Sequence, residues 1–186
     1  MIIFETPRLI VRDHISEDLE PLHRVLSDPA VTWYLPEMHM YDIEQTKGYL
    51  IASMRNIDAS PRMRYNLAVT DFRGEYLGEV GLHYIDGTPE NAHCGLGYFI
   101  RPDCWNLDYA TEAAGAAVNF IFNNGAARVS ASCLAENLAS RRVLEKCGFV
   151  QEGRLKAHTW HDGEWKDCAV YRLLRDEFIG RKRYVP

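Results

Sequence analysis

The feature that most restricts this chain is a change of sequence period near residue 110. Before it, three strand-like runs at residues 65–70, 76–84 and 92–100 are separated by the clusters Asp71-Phe72-Arg73-Gly74 and Asp86-Gly87-Thr88-Pro89. Such turn residues on short connections imply an antiparallel meander. After it, Ala113, Ala116, Ala117, Phe120 and Ile121 recur at helical spacing over residues 111–123, and small residues on that face permit close packing on a sheet. A meander that runs straight into a helix able to lie on it calls for a mixed, mostly antiparallel sheet with helices on both faces, α/β (α+β mixed) in class.

The flanking segments extend this pattern. Residues 9–12 read as a short strand, and Ser16 reads as the cap of a helix whose first turn carries Glu17 and Asp18. Leu19, Leu22, Val25 and Leu26 form its apolar stripe, and Pro29 is expected to end it. An aromatic connection, Trp33-Tyr34-Leu35-Pro36, leads to a weaker helix over residues 42–56. Beyond residue 123, a strand at 128–133 precedes a helix capped by Asn137 and stopped by Gly148, with Val143, Leu144 and Cys147 facing inward. Residues 155–160 and 165–174 flank His161-Asp162-Gly163-Glu164, whose Asp-Gly pair signals a hairpin. No linker or internal repeat interrupts the chain, so residues 1–186 are expected to form a single domain.

Composition excludes several functions. The net charge is −5, whereas an electrostatic grip on nucleic acid needs a basic surface. The basic cluster Arg181, Lys182 and Arg183 at the C-terminus reads as a solvated tail. An amine-bearing partner suits the charge better. The N-terminus lacks a charged start and apolar run, and no stretch is long enough to span a membrane. Cys94, Cys104, Cys133, Cys147 and Cys168 are odd in number and form no Cys-x-x-Cys pair, which fits reduced thiols in a cytoplasm. His158, His161 and Cys168 match no zinc spacing, so no metal is expected. No apolar stripe is assignable to a partner surface, so the chain is expected to be a monomer or a homodimer.

Two blocks carry the chemistry. The first runs Gly97-Tyr98-Phe99-Ile100-Arg101-Pro102-Asp103-Cys104-Trp105-Asn106-Leu107-Asp108-Tyr109-Ala110-Thr111-Glu112-Ala113. It brings a strand through a loop into the start of the alanine-rich helix, where unpaired amides and the positive dipole end favour an anion such as a diphosphate. The second runs Asn137-Leu138-Ala139-Ser140-Arg141-Arg142-Val143-Leu144-Glu145-Lys146-Cys147-Gly148-Phe149, followed by Glu152-Gly153. In order and spacing the two blocks resemble the GNAT acetyltransferases, specifically the ribosomal-protein N-acetyltransferase (RimJ/RimL-like) subfamily. Its pattern is Gly-Tyr-x-Ile-x-Pro, Trp-Gly-x-Gly-Tyr-Ala-Thr-Glu-Ala, Asn-x-x-Ser and Lys-x-Gly-Phe. The opening Thr6-Pro7-Arg8-Leu9-Ile10-Val11-Arg12 and the closing Asp162-Gly163 hairpin with Trp165 and Asp167 also look like that subfamily, so coverage is nearly complete.

The resemblance implies acetyl-CoA as co-substrate and transfer of its acetyl group to a primary amine by direct attack. The acceptor would be a protein N-terminus or a small amine such as a polyamine, an amino acid or an aminoglycoside. Cofactor contacts carry over to Phe99 and Ile100, whose strand backbone would bind the pantetheine arm and polarise the thioester carbonyl. They carry over equally to Trp105, Asn106, Leu107, Asp108, Tyr109 and Ala110, and to Asn137 and Ser140. Ser140 would protonate the leaving thiolate, since Leu144 stands where many members place a tyrosine. For the general base, Glu79 and His83 are candidates, at an even spacing that puts both on one face of a strand. Trp33, Tyr34, Tyr84, Trp160 and His161 are candidates for the acceptor wall, against a plain core role for the same rings. Glu112 matches the pattern but reads as a structural carboxylate at a helix start.

Asn106 and Asp108 depart from the pattern, which has glycines there. Both residue types tolerate left-handed backbone, so the turn can survive. Three readings of Asp108 are open: its carboxylate opposes a diphosphate, it points to solvent where screening removes much of that cost, or it caps the helix and occupies the donors. Weakened cofactor binding owing to Asn106 and Asp108 would give an alternative function, a non-catalytic binding module that keeps the fold. A nucleotide-binding site of Rossmann or P-loop type is remote, because Gly95 and Gly97 lack a further glycine and no Gly-Lys-Ser/Thr stretch exists.

Overall fold

The computed structural model describes residues 2–180. Eight strands form one mixed sheet: β1 (Ile3–Glu5), β2 (Leu9–Asp13), β3 (Arg64–Asp71), β4 (Tyr76–Thr88), β5 (Asn91–Ile100), β6 (Ala126–Leu134), β7 (Val150–His161) and β8 (Glu164–Leu174). Their spatial order is β1-β2-β3-β4-β5-β6-β8-β7. Every neighbouring pair is antiparallel except β5 and β6, which run parallel because helix α4 (Tyr109–Asn123) crosses between them.

Helices cover both faces. On one, Ala113, Ala114, Ala117, Val118 and Ile121 of α4 and Leu144 of α5 (Leu138–Lys146) pack on Leu67, Val69, Val80 and Leu82. Burying each valine, leucine or isoleucine of this set contributes roughly 1.5–3 kcal/mol, and the alanines let the helix lie close. On the other face, Leu22, Val25 and Leu26 of α1 (Leu19–Leu26) and Leu50 of α3 (Ile43–Arg55) enclose Ala68, Tyr76 and Phe99. A short α2 (Pro29–Thr32) and a terminal α6 (Arg175–Gly180) complete the helices among the described residues. None of these is long and apolar enough to cross a membrane.

Several local expectations change. Ser16 does not cap α1: it lies in a 3-10 turn, with its hydroxyl on Glu17 at 3.0 Å. The buried carboxylate of Asp18 reaches back instead and accepts from the Ile15 amide at 3.0 Å. Pro29 does not merely end α1 but opens α2, where a missing N–H leaves no bond unmade, and Asp28 caps that turn through Ala30 N at 2.8 Å. Strand β4 runs through Asp86-Gly87 to Thr88, because a bulge between Tyr84 and Asp86 absorbs that turn signal. The Asp162-Gly163 hairpin forms as expected, with φ of 50° and 77° at its two corners. Arg181, Lys182 and Arg183 lie outside the described residues.

One irregularity positions the site. The β5–β6 ladder pairs Ala92 through Gly95 with Ala126 through Ser130 and stops there, yet β5 continues to Ile100 and β6 to Leu134. Beyond the last pair the two parallel strands part, and along that stretch β5 is paired only to β4.

Candidate active site

The divergence opens a cleft of about 910 Å³. Leu96 through Ile100 line one wall, Ala131, Ser132 and Cys133 the other, and the start of α4, helix α5 and the α2 segment close the remaining sides. The splayed strand edge presents backbone polar groups that no neighbouring strand takes up, a place where an extended ligand can substitute for a strand.

The start of α4 forms one end. Its first intrahelical bond runs from Glu112 N to Asp108 O, so the amides of Tyr109, Ala110 and Thr111 have no intrahelical acceptor. Asn106 and Asp108 both adopt left-handed backbone, with φ of 60° and 62°. The glycine-type turn therefore survives with residues that tolerate it. The Asp108 carboxylate makes no capping bond. Instead it pairs with the Lys146 ammonium, which holds its pKa below the ordinary carboxylate range. The loop is braced from outside the cleft. Arg8 donates to the Leu107 carbonyl at 2.8 Å, and its guanidinium lies 4.5 Å from the centre of the Tyr109 ring. The Glu112 carboxylate accepts from Thr6 Oγ1 at 2.6 Å, Arg8 N at 2.9 Å and Arg8 Nε at 2.7 Å. The Trp105 indole ties the loop to the strand end through the Ile100 carbonyl at 2.6 Å.

Helix α5 supplies the middle of the cleft. Asn137 Oδ1 accepts from Ser140 N at 3.0 Å, the expected cap. The Ser140 hydroxyl lies 3.0 Å from Tyr98 Oη, which also donates to the Ser140 carbonyl at 3.1 Å. Burial pushes the Tyr98 phenol well above its ordinary pKa, so it stays protonated as a donor. Leu144 also lines the cleft and is 1% exposed.

Of the sites expected from sequence, Phe99, Ile100, Trp105, Asn106, Asp108, Tyr109, Ala110, Asn137 and Ser140 line this one cleft, together with Trp33 and Tyr34. Leu107 is half exposed and offers its carbonyl to Arg8 rather than to the cleft. Trp160 is 60% exposed and packs edge-on against Trp165, and Tyr84 packs into the core on the α4 face; neither lines the cleft. His161 is buried against Trp33 and Tyr34, with ring centroids 5.2 and 6.2 Å away.

Glu79 and His83 also lie off the cleft lining. The Glu79 carboxylate is buried and accepts from Tyr49 Oη and from His14 Nε2, the latter at 2.8 Å. The other nitrogen of His14 lies 3.1 Å from Asp18, which is bound in turn by both terminal nitrogens of Arg12. Burial alone would lower the His14 pKa, but the bonds from Asp18 and Glu79 outweigh it and carry it to about 9. His83 rests on Gly95, in the stretch where β5 and β6 are still paired. Partial burial, and then Arg64, hold its pKa below the usual imidazole range.

Sequence reasoning does not assign Tyr98, Lys146, Arg8 or His14. Tyr98 and Lys146 sit inside the two chemistry-bearing blocks, which is the one signal that points to them. Their partners lie 42 and 38 residues away, a separation that no local pattern encodes.

The sequence profile of the acetyltransferase (GNAT) domain matches residues 8–150, the span that holds both blocks and the cleft between them. The chain belongs to the GNAT acetyltransferase family. A GNAT relative named "Uncharacterized N-acetyltransferase YoaA", from Bacillus subtilis, is 29% identical over 174 residues, covering 93% of this chain and 97% of that protein. Among solved GNAT structures, the spermidine N-acetyltransferase of Vibrio cholerae in complex with CoA and spermine superposes with a TM-score of 0.79 at 19% identity, over 92% of this chain and 98% of that one. RimL, a ribosomal L7/L12 alpha-N-protein acetyltransferase in complex with coenzyme A, superposes with a TM-score of 0.80 at 18% identity, over 95% of this chain and 99% of that one. The protein is thus an acetyl-CoA-dependent N-acetyltransferase with a mixed α/β GNAT fold.

Proposed function

We propose that this N-acetyltransferase transfers the acetyl group directly to a primary amine held between the α2 segment and the splayed strand, with Ser140 as the acid. The supporting observation is that one cleft gathers the open amides of α4, the unpaired edge of β5, and Ser140 with Tyr98 behind it.

The fit to acetyl-CoA rests on that set. The amides of Tyr109, Ala110 and Thr111 suit a diphosphate, and the edge of β5 at Phe99 and Ile100 suits an amide-bearing pantetheine arm. The co-substrate supplies a thioester whose acyl carbon the amine attacks. The backbone near Phe99 and Ile100 stabilises the developing oxyanion, the Ser140 hydroxyl gives its proton to the departing sulfur, and the proton shed by the attacking amine returns through water to Ser140, which Tyr98 holds in place. No covalent enzyme intermediate is needed.

Trp33 and Tyr34 form the acceptor wall on this reading, with His161 fixing their rings. Glu79 holds His14 and Tyr49 in place rather than taking the amine's proton, because both of its oxygens already accept buried bonds. The acceptor is a small amine or a protein N-terminus. The spermine bound to one structural neighbour and the ribosomal-protein specificity of another are precedents for each. The test is thiol release from acetyl-CoA in the presence of a polyamine, an amino acid, an aminoglycoside or a short peptide with a free N-terminus. Turnover with one class supports the reading. Release that is the same with and without every amine defeats it.

The brace on the diphosphate loop gives a second expectation. Arg8→Ala removes the bond to the Leu107 carbonyl and the ion pair to Glu112, so the open amides lose their fixed aim. Coenzyme A affinity measured by calorimetry should fall about fivefold, a loss on the order of 1 kcal/mol, as for one charge-assisted hydrogen bond that is partly exposed. An unchanged affinity would mean that Trp105 and the helix hold the loop unaided.

A further inference from the structure

The acetyl-CoA reading, on which this inference rests, meets a difficulty in Asp108, because a carboxylate stands at the lip of a site meant for an anion. The structure supplies the counter-charge. Lys146 Nζ pairs with Asp108 Oδ1, both residues line the cleft, and their side chains are 54% and 60% exposed. Lys146 is the last residue of α5 and Asp108 the cap position of α4, so the pair bridges the two helices that flank the open amides of Tyr109, Ala110 and Thr111. Arg142, one turn earlier on α5, lines the same cleft.

An ion pair this exposed is weak, since water competes for both groups and long side chains lose freedom in forming it. The ammonium can therefore change partner at little cost. A diphosphate seated on the α4 amides would bring more negative charge and more acceptor oxygens within reach of Lys146 than one carboxylate offers. Asp108 caps no backbone amide of α4 and keeps a side-chain bond to Thr111; its carboxylate is 60% exposed and can then turn outward. We propose that Lys146 is a ligand for the diphosphate of coenzyme A, and that Asp108 competes for it, holding the ammonium at the cleft mouth until the diphosphate takes it. The residue that departs from the family's glycine thus tunes cofactor affinity without destroying it.

Calorimetry with coenzyme A on the full chain tests this. Asp108→Asn keeps a residue that tolerates left-handed backbone and removes the charge, and it should bind coenzyme A about tenfold more tightly at low salt. Lys146→Met should bind about tenfold more weakly. Both differences should shrink at high salt, where the screening length drops from about 10 Å at 0.1 M to about 3 Å at 1 M. Dephospho-coenzyme A keeps the diphosphate and should reproduce both effects; acetyl-pantetheine has no phosphate and should show neither. Both side chains are exposed, so the melting curves of the variants should overlay that of the parent, which separates affinity from folding.

Equal affinities across parent and variants, with parent binding intact, would overturn the proposal and leave the acetyl-CoA reading standing. Tighter binding by Asp108→Asn with no change in Lys146→Met would also overturn it, since Asp108 would then only repel. Effects that vanish with dephospho-coenzyme A would move the contact to the 3′-phosphate and refute the diphosphate assignment. A parent that ignores millimolar coenzyme A would bring down the acetyl-CoA reading itself.

Discussion

Ser140→Ala should lower kcat about a hundredfold with little change in the KM for acetyl-CoA, a loss at the lower end of what a positioned acid contributes. The surroundings of the hydroxyl give the reason. Asn137 fixes the backbone of Ser140, and Tyr98 Oη sits 3.0 Å from its oxygen, so on the proposed reading the hydroxyl is held in place from two sides. Truncation to alanine leaves the cap and the cleft walls intact, so binding should survive while the transfer step slows. Tyr98→Phe should give a smaller fall, because Ser140 keeps its place through Asn137. The measurement is steady-state thiol release with an acceptor amine that has shown turnover. Unchanged kcat in Ser140→Ala would remove the acid from this residue and pass the task to Tyr98 or to water.

A second large effect concerns stability. His14→Phe should cost about 3–5 kcal/mol, because it leaves the Glu79 carboxylate buried without its cationic partner and removes one from Asp18. For a chain of this size that corresponds to a melting temperature lower by roughly 10 °C. The pH dependence carries the sharper signature. The imidazolium of folded His14 persists to about pH 9, against 6.5 for the ordinary residue. Its contribution is thus complete below about pH 6.5 and disappears as pH rises through 9, a change on the order of 3 kcal/mol. Denaturant midpoints at pH 6.5 and pH 9.5 should therefore differ in the parent and come close together in His14→Phe. Asp18 acts at the other end of the scale. Burial opposes its ionisation, but Arg12, then His14 and the Ile15 amide, hold its pKa well below the carboxylate range, so its contribution is lost as pH falls below about 4. Parallel midpoint shifts in parent and variant would show that His14 is not the titrating group.

These two cases mark what the sequence can and cannot convey. The helix read at 111–123 and observed at 109–123, the cap at Asn137 and the Asp162-Gly163 turn are legible because each depends on a local rule: a period of 3.6, an oxygen that reaches three residues on, a turn that demands positive φ. Strand β1 escapes notice because three residues cannot display alternation, and the start of β7 because that edge strand is exposed on both faces and has no apolar period. Ser16 misleads because a 3-10 turn precedes α1 and puts Asp18 at the cap position, where its buried carboxylate binds back to the Ile15 amide and no side chain caps the helix. The resemblance to the family names the strand-loop-helix that lines the cleft. It gives no hint that Glu79 is enclosed by residues 65 and 30 positions away, or that Lys146 meets Asp108. Pairings at such separations arise from the packed fold, which brings charges together that no window of sequence holds side by side.

The parting of β5 from β6 has a mechanical consequence. Four rungs stitch residues 92–95 to 126–130, and past them the seam between the two halves of the sheet lies unsewn. A pantetheine arm laid along β5 would act as the missing thread, tying one half to the other through its own amides. Bound coenzyme A should then slow amide hydrogen exchange along residues 96–100 and 131–134 more than anywhere else on the sheet, so that the enzyme is stiffest at the moment its two substrates meet.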